Sequence, residues 1–534
     1  MDTVTALLED LAANHGADTA IVYHDLPISF AEVDDMGRRA ATVLADLGIG
    51  VGDRVALWLP NCPAYFALCR GCCRLGAIAV AVNTRFRSSE VSDIISRSGA
   101  EVLVMWPGFR EIDFLGLLAD ADAAALAGLK TLILFDEGQK ADAIPDAVSH
   151  CRHLDYNQLI QCAPYADDHA SAEAGCNIFT TSGTTNAPKF VLHTQGSLSR
   201  HAREVADGFG YSTSTGALLQ MMPLCGVFGY TQIMAGIASA QPTVLTASFD
   251  PLETVELAAR HNVVNFNATD DMIQSILDNS PLDQPLPNVR FVGSAAFATN
   301  YAELAARAEA RGIKMVGLYG MSEVQALYAL QPVELPLLER IVGGGRPISA
   351  RAEVRVRDPE SGELLGPGQA GELELKGPSL MKEYYLNPEA TAAEFTDDGF
   401  LRSGDLGELT EDGRFLYLQR MGDVLRLGGF LTSPAEIEAH IIGHDSVGDC
   451  QVVGVTTAEG AVRAVAFVIM NDGAAFDEDV LRQHCLDTLA RFKAPVRLFA
   501  LDEFPTTQSA NGTKIQRAEL RRMAEVRVVG GASS

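Results

Sequence analysis

Apolar and polar positions follow two rhythms along this chain. From residue 28 the text ISFAEVDDMGRRAATVLADLG sets apolar residues at helical spacing behind Ser29 and Glu32, a capping box, and ends at Gly48. Four short apolar runs come next, RVALWLP (54–60), AIAVAVN (77–83), EVLVMW (101–106) and KTLILF (130–135), mostly separated by helix-like segments. A second set, PTVLTA (242–247), VVNFNA (263–268), RFVGSA (290–295) and KMVGLYG (314–320), is divided by helices such as DPLETVELAARH (250–261) and TNYAELAARAEARG (299–312). Strands alternating with helices predict mainly parallel sheets covered by helices, here two α/β layers of similar grammar.

From about residue 341 to 420 the pattern turns β-like, with RAEVRVRD (351–358), GELELKG (371–377) and a hairpin, LTEDGRFLYLQR (409–420), around Asp412 and Gly413. After Asp423 a new unit begins, with helices over SPAEIEAHII (433–442) and DEDVLRQHCLDTLARF (477–492) flanking the strand pair CQVVGVTT (450–457) and AVRAVAFVIM (461–470). The predicted class is α/β. A large N-terminal domain, residues 1–422, holds the two α/β layers and a β-rich subdomain, and a small α+β domain covers residues 423–534. The tail VVGGASS (528–534) reads as disordered.

Composition narrows the function. A chain of 534 residues exceeds what one core usually supports, in keeping with this subdivision. With 69 acidic against 41 basic residues and a formal charge of -28, the global field repels nucleic acid and anionic membranes, so an anionic ligand must be held by local cations and backbone amides. No basic region followed by an apolar run stands at the start, so no secretory signal is expected. The uncharged stretch 217–240 contains Gln220, Pro223, Gly226, Gly229 and Gln232 and reads as core and pocket rather than as a membrane span. Ten scattered cysteines, with Cys69, Cys72 and Cys73 in a helical pattern without histidines at zinc-site spacing, read as reduced core thiols of a soluble, cytoplasmic protein.

Candidate chemistry lies in four stretches. TTSGTTNAPKF (180–190) lacks the second glycine and the Ser/Thr that would flank the lysine of a Walker loop, Pro188 and Phe190 standing there instead. Thr181, Ser182, Gly183, Thr184 and Thr185 can nevertheless turn amides and hydroxyls toward phosphate oxygens, with Lys189 as a mobile counter-charge; a polar surface loop is the alternative. GLYGMSE (317–323) follows a strand, at the end where α/β sheets place ligands. There Tyr319 can stack on a purine, Ser322 can donate to a phosphate and Glu323 can ligate a hard divalent ion. FLRSGDLG (400–407) sets Asp405 in a glycine-flanked turn suited to accepting from two ribose hydroxyls, and PTTQSANGTKIQRAELR (505–521) presents Lys514 from a loop before a helix.

In this order and spacing, residues 180–189, 319–323, 403–405, 420–438 and 505–517 resemble the adenylate-forming superfamily of acyl-CoA synthetases, peptide-synthetase adenylation domains and luciferases. The likeness spans nearly the whole chain and is strongest to AMP-forming acid:CoA ligases. It implies that a carboxylate attacks the α-phosphate of MgATP, giving acyl-adenylate and pyrophosphate, and that a thiol then displaces AMP. It also implies a mobile C-terminal domain turning about a hinge at Asp423. Carried over, Thr181, Ser182, Gly183, Thr184, Thr185 and Lys189 hold the β- and γ-phosphates. Tyr319, within Tyr319, Gly320, Met321 and Ser322, flanks adenine together with a turn of Ser294, Ala295 and Ala296. Glu323 holds magnesium, Asp405 and Arg420 bind ribose, and Lys514 bridges the carboxylate and α-phosphate. Gly428 and Gly429 correspond to a turn lining the pantetheine tunnel of CoA ligases.

The chain departs from that pattern in four places. Asn186 and Phe190 replace usual glycines, and Gly422 stands where a lysine is frequent. In MPLCGVFGY (222–230), Cys225 and Gly226 replace the Phe-His that often gates the acyl pocket, leaving room for a wider acid or an ungated thiol tunnel, or else serving close helix packing. With Phe228, Tyr230, Leu318 and Val324 they form an apolar lining with no evident cation, suited to an uncharged aromatic, alicyclic or medium-chain acid. The alternatives are a free-standing enzyme loading a carrier protein, a relative adenylating an unusual acid such as nitrite, and, last, a non-catalytic nucleotide-binding protein. The acid and the oligomeric state, a homo-oligomer included, stay open.

Overall fold

The computed structural model describes residues 2–110, 112–138, 144–180, 189–295, 301–421, 425–427, 430–432, 434–456, 462–489, 491, 493–509 and 512–529. The helix Phe30–Asp46 starts at the capping box read from sequence, with the Ser29 N–H donating to Glu32 at 2.8 Å and the Glu32 N–H to the Ser29 hydroxyl at 3.2 Å. Each of the eight apolar runs contains a strand.

The first sheet runs, in spatial order, Arg152–Asp155, Thr131–Leu134, Val102–Met105, Arg54–Trp58, Ile78–Ala81, Gly175–Thr180, Phe190–Thr194 and Glu383–Tyr384. Its first six strands are parallel, and each of the last two pairs antiparallel with the strand before it. The helix Pro63–Leu75 is buried nearly all round and carries Cys69, Cys72 and Cys73 into the core.

The second sheet has fourteen strands. Its parallel part is Thr19–Tyr23, Thr243–Leu245, Ala217–Gln220, Val263–Thr269, Val292–Ala295 and Met315–Tyr319. Antiparallel strands extend it from Ala329–Leu330 through Gly344–Pro347, Phe415–Arg420, Leu401–Leu409, Gly371–Lys376 and Glu353–Arg357. The β-rich subdomain is thus a continuation of this sheet, with a hydrophobic core of its own around Val356, Leu373, Leu375, Tyr384 and Phe415. The short strand Glu383–Tyr384 leaves it to pair with Phe190–Thr194 of the first sheet, tying the two sheets together beside Lys189.

At the C-terminus, strands Val447–Thr456, Val462–Met470 and Arg497–Ala500 form a sheet. One hydrophobic cluster lies against helices Pro434–Ile442 and Glu478–Thr488, and another against helix Arg517–Val529. That last helix takes in Val528 and Val529, the first two residues of the tail expected to be disordered; residues 530–534 lie outside the described part. All ten cysteines are free thiols, nine of them buried. Among the described residues no helix is long and apolar enough to cross a membrane.

Candidate active site

The motif 317–323 closes the strand Met315–Tyr319. At Gly320 a Cβ would lie 2.5 Å from Ala326 Cα, so the backbone doubles back where only glycine fits. Ser322–Val324 make one 3₁₀ turn, after which Gln325, Ala326 and Leu327 hold left-handed φ values of 64, 50 and 44° although none is glycine. Such a run persists only where its surroundings fix it. His193 Nε2 donates to the Ser322 carbonyl at 2.7 Å, the Met381 N–H to that of Glu323 at 2.7 Å, the Thr231 hydroxyl to that of Gln325 at 2.6 Å, and His201 Nε2 to that of Ala326 at 2.9 Å. Burial lowers both imidazoles to about 4, which keeps them neutral donors.

Asp405 and Arg420 stand opposite each other on the adjacent strands Leu401–Leu409 and Phe415–Arg420. Arg420 Nη1 donates to Asp405 Oδ1 at 2.8 Å and to the Ser403 carbonyl at 2.7 Å. Tyr319 donates its hydroxyl to Asp405 Oδ2 at 2.6 Å, and its ring meets Phe415 edge-on with centroids 5.2 Å apart. Both oxygens of the expected ribose carboxylate are therefore held, one by the residue expected to flank adenine. Burial works against the Arg420 charge, but the Asp405 carboxylate outweighs it and raises the guanidinium further. Tyr319 is pushed well up by burial and by Asp405.

Glu323 is buried, and burial pushes its carboxyl up against the opposing pull of Tyr384 and Arg420. The Tyr384 hydroxyl lies 2.8 Å from Glu323 Oε1 and 2.9 Å from Glu394 Oε1. Glu394 in turn receives Lys189 Nζ at 2.6 Å, and that ammonium sits 4.3 Å from the centre of the Tyr384 ring. Tyr384 and Glu394 were not legible as functional in the sequence; their only signal is the helix start at Asn387 and Pro388, which sets Glu394 at the end of helix Pro388–Glu394.

Tyr319, Asp405 and Arg420 thus form one hydrogen-bonded group and Glu323, Tyr384, Glu394 and Lys189 another, and the charge of Arg420 reaches Glu323 between them. Thr181, Ser182, Gly183, Thr184, Thr185, Asn186, Ala296, Gly422, Asp423, Gly428 and Gly429 lie outside the described residues. Lys514, expected in a loop, sits instead in the strand Gly512–Ile515, opposite Thr507, with its side chain outside the described part. Ser294 and Ala295, expected in a turn, end the strand Val292–Ala295, with Ser294 paired to Gly317. Phe190, standing where a loop glycine is usual, is a buried strand residue with the Arg97 guanidinium 4.2 Å from its ring centre.

The family model described as AMP-binding enzyme matches residues 8–385, and that of the AMP-binding enzyme C-terminal domain matches residues 436–511. The chain belongs to the AMP-binding enzyme family. Within this family it is 30% identical, over 97% of its length and 99% of the relative's, to a 3-[(3aS,4S,7aS)-7a-methyl-1,5-dioxo-octahydro-1H-inden-4-yl]propanoyl:CoA ligase of Mycobacterium tuberculosis. It is also 30% identical to a sulfoacetate–CoA ligase of Cupriavidus necator, covering 89% of this chain and 88% of that one. Its fold matches ATP-bound MatB of Rhodopseudomonas palustris with a TM-score of 0.81 at 24% identity, over 98% and 99% of the two chains.

For an AMP-binding enzyme the side chains expected to line an acyl pocket fall in two hydrophobic clusters. Cys225, Phe228 and Leu318 belong to the main core, whereas Val324 packs in the subdomain core with Val191 and Tyr328. Tyr230 points into the first α/β layer, its ring 5.5 Å from Phe179 and its hydroxyl among Cys69, Cys73 and Cys176. Burial raises the Cys225 thiol to about 11, opposed in part by backbone hydrogen bonding from Thr84 and, less, by the charge of Arg85. Gly226 caps the helix Val227–Ala238 at φ -100 and ψ 144, a conformation open to any residue. Close packing selects glycine at Gly229, where a Cβ would lie 2.3 Å from the Pro223 carbonyl oxygen.

Proposed function

We propose that this AMP-binding enzyme is an AMP-forming acid:CoA ligase. The observation that carries the reading is the pair of hydrogen-bonded groups Asp405–Tyr319–Arg420 and Glu323–Tyr384–Glu394–Lys189, which sets a carboxylate–guanidinium pair suited to a ribose within electrostatic reach of a buried carboxylate, itself joined to a lysine suited to a metal–polyphosphate. In the first half-reaction a carboxylate oxygen of the acid bonds to the α-phosphorus of ATP, the bond to the bridging oxygen of the β-phosphate breaks, and pyrophosphate leaves. In the second, the CoA thiolate bonds to the acyl carbon, the acyl carbon–oxygen bond breaks, and AMP leaves. The relatives named as CoA ligases support CoA as the acceptor.

Asp405 and Arg420 hold the ribose, Tyr319 bounds the adenine site, and Lys189 with Thr181, Ser182, Gly183, Thr184 and Thr185 holds the β- and γ-phosphates. Lys514 offsets the negative charge that builds at the pentavalent α-phosphorus. A magnesium ion fits the hard oxygen donors of Glu323, and when bound it neutralises polyphosphate charge. The domain boundary is proposed at residues 422 and 423, with Asp423 as the hinge that brings Lys514 for adenylation and the turn of Gly428 and Gly429 for thioester formation. The free thiols favour a reducing compartment, the cytoplasm. The test is a panel of acids screened for pyrophosphate release with and without CoA, with products read by mass spectrometry. Acid-dependent pyrophosphate and an acyl-CoA mass support the reading; pyrophosphate release with no thioester to CoA would reassign the acceptor.

A further inference from the structure

We infer that Tyr384 and Glu394 are positioning residues, Tyr384 orienting the Glu323 carboxylate and Glu394 holding Lys189 until a polyphosphate replaces it. The inference rests on the proposed roles of Glu323 and Lys189. Three segments that the sequence keeps far apart, residues 189–194, 322–324 and 381–394, create the arrangement. The strand Glu383–Tyr384 adds to the edge of Phe190–Thr194, with Tyr384 opposite Val191, and the Tyr385 N–H donates to the Phe190 carbonyl at 2.8 Å. That pairing fixes the Tyr384 backbone immediately beyond Lys189. The Met381 N–H donates to the Glu323 carbonyl at 2.7 Å, so the same segment also grips the turn that carries the buried carboxylate. The Tyr384 N–H donates to the Thr391 hydroxyl at 2.9 Å, anchoring the strand to the helix Pro388–Glu394 and thereby placing Glu394.

The phenol then spans the two halves of the set. Its hydroxyl lies within 2.9 Å of one oxygen each of Glu323 and Glu394, and its ring face takes the Lys189 ammonium at 4.3 Å. The two contacts differ in strength. Glu323 and the Tyr384 hydroxyl are buried, where a hydrogen bond to a carboxylate fixes orientation strongly. Lys189 and Glu394 are 38% and 27% exposed, so their ion pair is weak enough for a polyphosphate to displace. Glu323 is thus held firmly and Lys189 loosely.

The test uses the full-length enzyme and calorimetric ATP binding, with and without magnesium and without acid, alongside the rate of adenylate formation. Tyr384→Phe keeps the ring and removes the hydroxyl. It should cut the gain in ATP affinity that magnesium gives by about tenfold, the value of a buried bond to a charged group, and lower kcat while leaving magnesium-free ATP binding unchanged. Glu394→Gln should tighten magnesium-free ATP binding by about two- to fivefold, the range of a half-exposed ion pair. A merely structural role would move neither split. The double variant Tyr384→Phe/Glu323→Gln should be no worse than Glu323→Gln alone. Glu323→Gln and Lys189→Ala serve as controls. If both leave adenylation intact, the underlying site reading fails; if they impair it while Tyr384→Phe and Glu394→Gln bind and react as wild type, or while the double variant shows additive losses, only the positioning inference falls.

Discussion

His193 and His201 fasten the backbone on either side of Glu323, at the Ser322 and Ala326 carbonyls, and their burial makes that fastening sensitive to acid. Each imidazole titrates near 6.5 in an unfolded chain and at about 4 in the folded one, because burial disfavours the cation. Between those values the unfolded state binds more protons, so folding stability rises with pH and falls as acid is added. The contribution of the neutral imidazoles is fully present above about pH 7 and is lost progressively toward pH 4. From pH 7 to pH 5 the loss is about 2 kcal/mol for each residue and about 4 kcal/mol for the pair. Other groups also titrate in this interval, so the decisive quantity is the difference from His193→Gln/His201→Gln, in which the amides can still donate but do not titrate. The assay is urea unfolding across this pH range, followed by the fluorescence of Trp58 and Trp106, the chain's two tryptophans and both buried in the large domain. Wild type should lose about 4 kcal/mol more than the variant. Parallel pH profiles for the two proteins would refute the reasoning.

Three further outcomes follow from the geometry. Tyr319→Phe removes the donor to Asp405 Oδ2 while keeping the ring on Phe415, so the unliganded enzyme should lose about 1.5–3 kcal/mol in urea unfolding, and a saturating nucleotide should recover part of it by supplying ribose hydroxyls; equal stability without ligand would count against this bond. Lys514→Ala should cut adenylate formation by about two to three orders of magnitude with ATP binding barely changed, and undiminished acid-dependent pyrophosphate release would remove Lys514 from the chemistry. Gly226→His meets no backbone constraint and should raise the KM of bulky acids more than that of the smallest accepted acid; an unaltered ranking in a folded variant would show that this position does not face the acid.

Much of the fold was legible because periodicity reports burial locally. The capping box of Ser29 and Glu32, the eight apolar runs and the hairpin at Asp412 and Gly413 all depend on neighbours within a few residues. The fusion of the β-rich part with the second sheet was not legible, since the pairing of Leu318 with Leu330 and of Leu330 with Arg346 leaves no mark on either partner's own pattern. The strand Thr19–Tyr23 pairs with residues more than two hundred positions away, which local alternation cannot reveal. In the site, motif spacing singled out Glu323, Asp405 and Lys189 by residue type. What holds them was hidden: Tyr384 acts through a short edge strand, and His193 and His201 through carbonyls, which every residue possesses. The surroundings of Tyr230 were hidden for the same reason, because it lies in a helix buried on all sides, where sequence position does not tell which neighbour its ring meets.

The most direct test of the proposed chemistry follows an oxygen atom. An accepted acid carrying ¹⁸O in both carboxylate positions is turned over with ATP and CoA, and the AMP is examined by mass spectrometry. Attack of the carboxylate on the α-phosphorus leaves one acid oxygen on that phosphorus after the thiol has taken the acyl group, so AMP should carry one ¹⁸O and pyrophosphate none. Unlabelled AMP, or label in inorganic phosphate with ADP as the nucleotide product, would contradict an acyl-adenylate intermediate.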